Sequence, residues 1–322
     1  ADFLPDHRLV LRTALIDPEA TNAFRLIHGA ADGWPGWYVD QLGNFLLSQS
    51  EAAPSPAQIS ALDQLGSPKG AYHKNLVRRV RQAAGSDTSA KLLRGEAAPA
   101  RFNILENGLQ FELSFMEGYS AGLFLDQRDN RRKLLTKYVS PGFALPAAGA
   151  ELLNTFAYTC GFSVCAAKAG WRTTSLDLSK KYLEWGRRNF AANRIDPAAH
   201  DFIFGDAFDW LRRLARKPRR FDVVLVDPPT FSQSKQSGVF RAEKDFGRLI
   251  RAALGVLKPG GVLFASTNAA DWAPEQFLEA IEGAVRSEKR EILQQHYQSQ
   301  PPDFPISRGE PAYLKTSWFR VG

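Results

Sequence analysis

From about residue 152 onward, short apolar runs alternate with segments whose apolar residues recur at helical spacing, and this alternation limits the fold most strongly. Strands that alternate with helices form a mostly parallel sheet with helices on both faces. In such sheets, ligands bind at the carboxyl ends of the strands. The predicted strands are 151–154, 173–177, 202–204, 221–226, 262–265, 291–297 and 313–320, and the predicted helices are 162–169, 180–192, 208–215, 241–257 and 274–285.

The N-terminal part has a different pattern, because turns that contain glycine separate its short strand-like runs. Asn107-Gly108 lies between two such runs, and this setting predicts a β-hairpin. The stretches 51–67 and 86–100, which contain Pro and many Ala and Ser residues, are predicted to be loops. A length of 322 residues exceeds what one core usually supports. We therefore predict two domains, a small α/β or β-rich domain over 1–118 and a larger α/β domain over 119–322.

Aspartates follow several predicted strands of the larger domain. Asp177, after the second strand, can accept hydrogen bonds from both hydroxyls of a ribose. Asp206, after the third strand, can accept one from an adenine amino group. A simpler alternative is that Asp177, Ser179 or Asp206 caps the helix that follows. The loop after the first strand contains only Gly161 and lacks the G-x-G-x-x-G pattern that a pyrophosphate requires. The loop therefore suits a nucleoside ligand without a pyrophosphate, and the alternative is a plain turn between a strand and a helix.

The fourth predicted strand runs directly into Asp227-Pro228-Pro229-Thr230-Phe231. The two prolines stiffen the turn and remove two backbone donors, so the carbonyl oxygens remain as acceptors. Asp227 can accept from a cationic amino group of a cofactor, and Phe231 can stack on a flipped base. Two alternatives stay open: Phe231 packs beneath the loop, or the whole motif is a rigid turn without chemistry.

Four motifs carry a resemblance to a known family: residues 122–128 (GLFLDQR), 154–159 (NTFAYT), 177–179 (DLS) and 227–235 (DPPTFSQSK). Together they resemble the class I S-adenosylmethionine (SAM) methyltransferases, and more closely the large-subunit ribosomal RNA methyltransferases. That group includes 5-methylcytosine and N7-methylguanine enzymes. Residues 26–40 are similar to the small domain that precedes the catalytic domain in the 5-methylcytosine enzymes. The N-terminal PUA RNA-binding module of many relatives is expected to be missing.

The resemblance implies a Rossmann-like class I methyltransferase domain with a mostly parallel seven-stranded sheet, and SAM as the cofactor. The stretch from Tyr119 to Arg128 would cover the methionine end of SAM, Asp177 would bind the ribose, and Asp206 with Ala207 would bind the adenine. Asp227 and Pro228 would face the methyl group and the target base, and together with Phe231 they form the predicted catalytic set. The cofactor-binding residues expected on this basis are Tyr119, Gln127, Arg128, Asn154, Phe156, Tyr158, Thr159, Gly161, Asp177, Ser179, Asp206, Ala207 and Asp227.

The residues at the end of the fifth strand bear on the target base. A 5-methylcytosine mechanism needs a cysteine thiolate that attacks the ring, and in similar enzymes this cysteine follows the fifth strand. Thr267 occupies that place here, and Cys160 lies in the predicted cofactor loop. Guanine N7 carries a lone pair and no proton, so its methylation needs only alignment with the methyl group. The sequence therefore favours direct methylation of a base nitrogen such as guanine N7.

Net charge supports an acidic partner. The chain has 41 Lys and Arg against 34 Asp and Glu, which gives +7, and its pI is about 9.4. Basic residues near the predicted cleft are the candidates for phosphate contacts. The cluster over 212–220 is discounted, because it precedes the fourth strand and is predicted to lie away from the cleft. The expected RNA-binding residues are Arg131, Arg132, Lys235, Arg241 and Lys244.

The remaining composition excludes several classes of protein. No apolar run approaches the roughly 20 residues of a membrane helix. Cys160 and Cys165 form neither a disulfide framework nor a zinc site, so we expect a cytoplasmic protein without a metal. The oligomeric state stays open, with a homodimer among the options.

The residue patterns and the resemblance together predict a SAM-dependent methyltransferase that acts on RNA, with ribosomal RNA as its substrate class. The alternatives are a 5-methylcytosine enzyme with a displaced nucleophile, a non-catalytic RNA-binding assembly factor, and a methyltransferase of small molecules.

Overall fold

The computed structural model describes residue 10 and residues 13–66, 68–76, 89–117, 120–234 and 238–322, with only the backbone described for 231–234 and 239. The chain divides into two compact units. The first contains residues 1–128 and 301–311, and the second contains 129–300 and 312–322. The predicted boundary was 118/119. The observed division lies after Arg128, because the segment before it packs in the first unit, where Ser114 N donates to the carbonyl oxygen of Ala121 at 2.9 Å.

The first unit is built on a five-stranded sheet in the order β1-β2-β3-β4-β5. Only β3 and β4 pair in parallel, and helix α1 crosses between them. The side chains of Trp37, Leu46 and Leu62 lie in its core. Its elements are β1 (Ala23–His28), β2 (Tyr38–Leu42), β3 (Phe45–Ser50), α1 (Pro56–Gln64), β4 (Gly70–Asn75), β5 (Lys91–Gly95), β6 (Phe102–Glu106) and β7 (Leu109–Leu113), with 3-10 turns at Gly29–Asp32 and Leu125–Gln127.

Two local predictions for this unit have different outcomes. The hairpin is confirmed: β6 pairs with β7, and the turn places Asn107 and Gly108 at φ 51° and 76°. The loops predicted over 51–67 and 86–100 are wrong in part, since α1 forms in the first stretch and β5 in the second. Ser55 begins this helix with a capping box to Gln58, and Pro56 occupies its first turn. The Ser-Pro-x-Gln pattern was therefore the signal that the composition of the stretch concealed.

The second unit is built on a seven-stranded sheet in the order β12-β11-β10-β13-β16-β18-β17. The strands from β12 to β16 pair in parallel, and β18 is antiparallel to both of its neighbours. The predicted Rossmann-like α/β fold is confirmed. Its elements are α2 (Arg128–Thr136), β8 (Tyr138–Ser140), β9 (Phe143–Ala144), β10 (Glu151–Thr155), α3 (Gly161–Lys168), β11 (Arg172–Asp177), α4 (Lys180–Ala192), β12 (Asp201–Phe204), α5 (Ala207–Ala215), β13 (Phe221–Val226), β14 (Phe231–Ser234), β15 (Gly238–Arg241), α6 (Ala242–Leu254), β16 (Leu257–Thr267), α7 (Pro274–Ser287), β17 (Ile292–Gln298) and β18 (Lys315–Val321), with a 3-10 turn at Pro197–Ala199.

Buried apolar strands hold this sheet between its helices. Val223, Val224, Leu225 and Val226 are inaccessible to solvent, as expected for a central parallel strand covered on both faces. Phe246 and Phe277 bring α6 and α7 into the same core. Within the described ranges, the helices are too short or too polar to cross a membrane.

Candidate cofactor and substrate site

The order of strands in the second unit reverses between β10 and β13. The chain passes from β10 outward to β11 and β12, and then returns to β13 on the other side of β10. Loops that leave neighbouring strands in opposite directions open a crevice at the carboxyl ends of the strands. The predicted Asp177, Asp206 and Asp227 all lie at this end of the sheet.

The loop after β10 has an unusual backbone. Phe156, Tyr158 and Cys160 all have positive φ values, 57°, 48° and 63°. Residues other than glycine rarely adopt this region, and such conformations persist only where the surroundings hold them. Here Ala157 N donates to the carbonyl oxygen of Leu176 at 3.0 Å, which fastens the loop to β11. The loop then opens directly into α3 at Gly161.

Asp177 holds the same loop from the end of β11. Its Oδ2 accepts from Tyr158 N and its Oδ1 accepts from Ser179 N, each at 2.8 Å. Burial raises the pKa of this carboxyl, and the two backbone hydrogen bonds act against that rise. A carboxylate has about four lone-pair positions, so this group can accept two further donors, the number that a ribose diol supplies.

Helix capping accounts for part of the predicted set. Ser179 Oγ accepts from Tyr182 N at 3.2 Å at the start of α4, and Asp206 Oδ1 accepts from Asp209 N at 3.1 Å at the start of α5. Both are therefore N-caps, as the simpler interpretation predicted. Capping fixes where these side chains sit, and Asp206 with Ala207 still begins the helix at the carboxyl end of β12.

Two predicted cofactor ligands are buried and are hydrogen-bonded to neighbouring helices. Asn154 Nδ2 donates to Ser163 Oγ at 3.0 Å, and Asn154 is almost fully buried. Thr159 is also buried, and its carbonyl oxygen accepts from Asn189 Nδ2 at 2.9 Å. The side chain of Asn154 therefore links β10 to α3, and the backbone of Thr159 links the loop to α4.

Sequence reasoning missed an apolar side chain at this edge. Leu178, which follows Asp177 directly, is 39% exposed although it is a large aliphatic residue. The sequence contained a signal for this exposure, because Leu178 is an apolar residue that neither ends the strand as Asp177 does nor caps the helix as Ser179 does. An exposed apolar surface beside polar acceptors is what a nucleoside base requires.

The loop after β13 is fixed to the loop after β16. Thr230 Oγ1 donates to Asn268 Oδ1 at 2.8 Å, and Ala242 N donates to the carbonyl oxygen of Thr230 at 3.1 Å. Asp227 is half-buried and Pro228 is buried, whereas Thr230 and Asn268 are exposed. The side chain of Phe231 lies outside the described part of the chain, so its predicted stacking on a base stays a prediction.

Thr267, at the place of the expected cysteine, is fully buried. Its Oγ1 accepts from Ala269 N at 3.3 Å, and its cross-strand neighbour is Lys315. The ammonium of Lys315 donates to the carbonyl oxygen of Ala269 at 2.6 Å, so it fastens the same turn. The end of β16 is thus a closed hydrogen-bonded turn.

Both cysteines of the chain are inaccessible to solvent. Burial raises the pKa of the Cys160 thiol to about 12. Gly186 in α4 packs directly against it, since a Cβ added at Gly186 would lie 2.3 Å from Cys160 Sγ. Both cysteine side chains are therefore packed in the interior of the second unit.

The predicted RNA contacts fall into three groups. Arg132, Arg241 and Lys244 are exposed, as phosphate contacts require. Arg131 is a correction: it is 2% exposed, and its guanidinium carbon lies 5.8 Å from the ring centre of Phe162, so it packs in the interior. Lys235 lies outside the described residues.

Among the described residues, two predicted cofactor ligands, Gln127 and Arg128, belong to the first unit. Tyr119 lies outside the described residues. Gln127 is buried, and Arg128 makes a bidentate ion pair with Asp303 at 2.6 and 2.9 Å. The structure thus gives Arg128 a carboxylate of this chain as its partner. Across the described ranges, no group of three or more His, Cys, Asp or Glu side chains is arranged to hold a metal ion.

Comparisons with known proteins agree with this geometry. The family model of S-adenosylmethionine-dependent methyltransferases matches residues 24–320. A ribosomal RNA large subunit methyltransferase of Deinococcus radiodurans is 31% identical over 98% of this chain and 78% of its own length. The ribosomal RNA large subunit methyltransferase I of Klebsiella pneumoniae is 33% identical over 96% of this chain and 76% of its own length.

A solved structure gives the same result. The crystal structure of SMU.776 complexed with SAH covers 98% of this chain and 79% of its own chain, with a TM-score of 0.84 and 32% sequence identity. The family match extends over nearly all of both units. The chain therefore belongs to the S-adenosylmethionine-dependent methyltransferases and is an enzyme that uses this cofactor.

Proposed function

We propose that this enzyme methylates a nitrogen atom of a base in large-subunit ribosomal RNA, with guanine N7 as the acceptor. The RNA class is supported by the two ribosomal RNA large subunit methyltransferases that match most of the chain. The choice of a nitrogen rests on two observations: both cysteines of the chain are buried, and the end of β16 carries a hydrogen-bonded threonine.

The residues of the second unit fit the cofactor. Asp177 would accept from the two ribose hydroxyls with the lone pairs that its two backbone hydrogen bonds leave. Leu178 would pack against the adenine, with Asp206 and Ala207 beside it. The loop of Phe156 and Tyr158 would lie along the methionine part.

The bound cofactor supplies an electrophilic methyl group on a sulfonium. A guanine N7 needs neither a thiolate nor a base, because it carries a lone pair and no proton. The task of this chain is then to align the ring and to exclude water from it. We assign the alignment to the loop of Asp227 and Pro228, which the Thr230–Asn268 hydrogen bond holds against the end of β16. Phe231 would stack on the base, as predicted from the sequence.

The test is transfer of a deuterated methyl group from SAM to total RNA and to large ribosomal subunits from cells that lack this protein. Nucleosides from the products are identified by mass spectrometry. We expect labelled 7-methylguanosine, and we expect Cys160→Ala to retain the transfer because this thiol is buried.

The other outcomes each overturn a part of the proposal. Labelled 5-methylcytidine would show that the acceptor is a cytosine ring carbon, methylated through a covalent intermediate, and not a base nitrogen. A loss of transfer in Cys160→Ala would then identify Cys160 as the nucleophile. Label on neither RNA nor subunits would exclude the RNA class and favour a small-molecule acceptor.

A further inference from the structure

The stretch between the end of β11 and the start of β13 carries most of the chain's excess positive charge. Residues 178–220, which contain α4, β12 and α5, have eleven Lys and Arg against five Asp and Glu, so this stretch carries +6 where the whole chain carries +7. Part of that charge is used internally. Arg219 pairs with Glu151 and Asp201, and Arg220 donates to main-chain carbonyl oxygens.

Two of the remaining cations lie beside aromatic rings, of which Phe204 is exposed and Trp210 is half-buried. Lys180 Nζ lies 5.0 Å from the ring centre of Phe204, which is 49% exposed. Trp210 Nε1 donates to the carbonyl oxygen of Phe204 at 3.2 Å, and the guanidinium carbon of Arg213 lies 5.3 Å from the Trp210 ring. We call Lys180, Phe204, Trp210 and Arg213 the edge row, since they form a continuous line across the sheet edge from α4 to α5.

Two further features keep the edge row in place. A Cβ added at Gly205 would lie 2.2 Å from Trp210 Nε1, so the indole packs directly on the main chain. Asp209 accepts from Arg212 at 2.5 Å and from Arg213 at 2.8 Å. One carboxylate thus orients two cations and neutralises one, and both arginine side chains remain more than half exposed.

This arrangement fits single-stranded nucleic acid. An exposed ring offers a stacking surface to any base, and cations beside it neutralise phosphates. We infer that the edge row is a docking surface for a single-stranded part of the RNA substrate, with phosphates at Lys180 and Arg213 and a base on Phe204. The inference rests on the proposed action on RNA, and it places RNA beside Gly205 and Asp206 at the carboxyl end of the sheet.

The experiment uses the full chain with Lys180→Ala and Arg213→Ala combined. The matched control combines Arg251→Ala and Arg286→Ala, which removes two exposed arginines from α6 and α7 of the same unit. The probe is a fluorescein-labelled 30-nucleotide RNA of mixed sequence without stable hairpins. Its affinity is measured by anisotropy over a series of salt concentrations, and methyl transfer to large-subunit RNA is measured in parallel.

For single strands, the slope of log K against log salt changes by about 0.7 for each phosphate contact. This slope is negative, and we expect its magnitude to be smaller by about 1.4 in the double variant than in the wild type. The KM for RNA should rise, whereas kcat and the affinity for SAM should not change. The control should match the wild type in every quantity. If the double variant and the wild type have the same slope, the edge row does not dock RNA, even if the enzyme methylates RNA. A lowered slope without any methyl transfer to RNA by the wild type overturns the proposed function and leaves the edge row standing.

Discussion

Thr230 and Asn268 join the two loops that border the proposed methyl-transfer site, with Thr230 Oγ1 donating to Asn268 Oδ1 at 2.8 Å. Thr230 belongs to the turn after β13 and Asn268 to the turn after β16, strands that pair in parallel up to Val226 and Ala265. Because Asn268 accepts with its carbonyl oxygen, its amide NH2 group is directed away from Thr230. Guanine presents O6 beside N7, so this NH2 group is of the right chemistry to recognise the proposed base.

Removing the hydrogen bond between Thr230 and Asn268 should slow methyl transfer without lowering the affinity for SAM. Thr230→Val keeps the shape and removes the donor, and a hydrogen bond of this kind is worth about 0.5–1.5 kcal/mol. We expect kcat to fall by up to about tenfold with an unchanged Kd for SAM. Asn268→Asp retains the acceptor for Thr230 and loses the NH2 donor, so it should raise the KM for RNA. Equal kinetics of both variants and the wild type would contradict this role.

Substitutions at Asp177 and Ser179 should distinguish a role in cofactor binding from a role in helix capping. Asp177→Ala removes the acceptors proposed for the ribose, and hydrogen bonds to a charged group are worth about 1.5–3 kcal/mol. We expect the Kd for SAM to rise by about 10- to 100-fold, measured by calorimetry. Ser179→Ala, which removes only the cap of α4, should cost about 1 kcal/mol of stability. An unchanged Kd for SAM in Asp177→Ala would exclude it as the ribose ligand.

The buried ion pair between Arg128 and Asp303 should be essential for the stability of the first unit. Both side chains are buried, and Asp303 Oδ2 also accepts from Arg25 N at 3.0 Å. Breaking a buried pair leaves an uncompensated charge and costs about 3–5 kcal/mol. We expect this loss for Arg128→Ala in urea unfolding, and only partial rescue by Arg128→Lys, which cannot make a bidentate contact. The exposed pair of Arg286 and Glu282 is the control, and its loss should cost no more than about 1 kcal/mol.

Cys160 should make the protein sensitive to alkaline pH. Its folded-state pKa of about 12 lies above the ordinary value of 9.0, because burial disfavours the thiolate. Its contribution to stability is therefore complete below about pH 9 and is lost as the pH rises toward 12, since only the unfolded chain ionises there. We expect the wild type to lose about 1.4 kcal/mol per pH unit above about pH 9 relative to Cys160→Ala, in urea unfolding at several pH values. A constant difference between the two proteins across this range would contradict the assignment.

The sequence allowed more of the second unit to be predicted than of the first. Its strands and helices alternate with strong apolar patterns, so their order along the chain was evident before the structure. The strand-end aspartates were found for the same reason, because parallel strands bring their carboxyl ends to one edge. In the first unit, α1 was missed because its stretch is rich in Ala, Ser and Pro and only its capping residues distinguish it from a loop.

Long-range packing decided what local patterns could not. Arg131 and Arg132 are neighbours in a basic run, yet one is buried against Phe162 and the other is exposed. The edge row was not predicted either, because the basic cluster over 212–220, which includes Arg213, was expected to lie away from the cleft. Trp210, which precedes that cluster in α5, donates to the carbonyl oxygen of Phe204.

By itself, the sequence determined the class of fold, the family and the strand ends at which the chemistry should lie, since these follow from periodicity and short motifs. Only the tertiary structure decided that Asp303 joins Arg128 across 175 residues of chain, that both cysteines are buried, and that Thr230 meets Asn268. The physical reason is that burial and hydrogen bonding depend on which distant segments pack together, and a short sequence pattern does not specify those contacts.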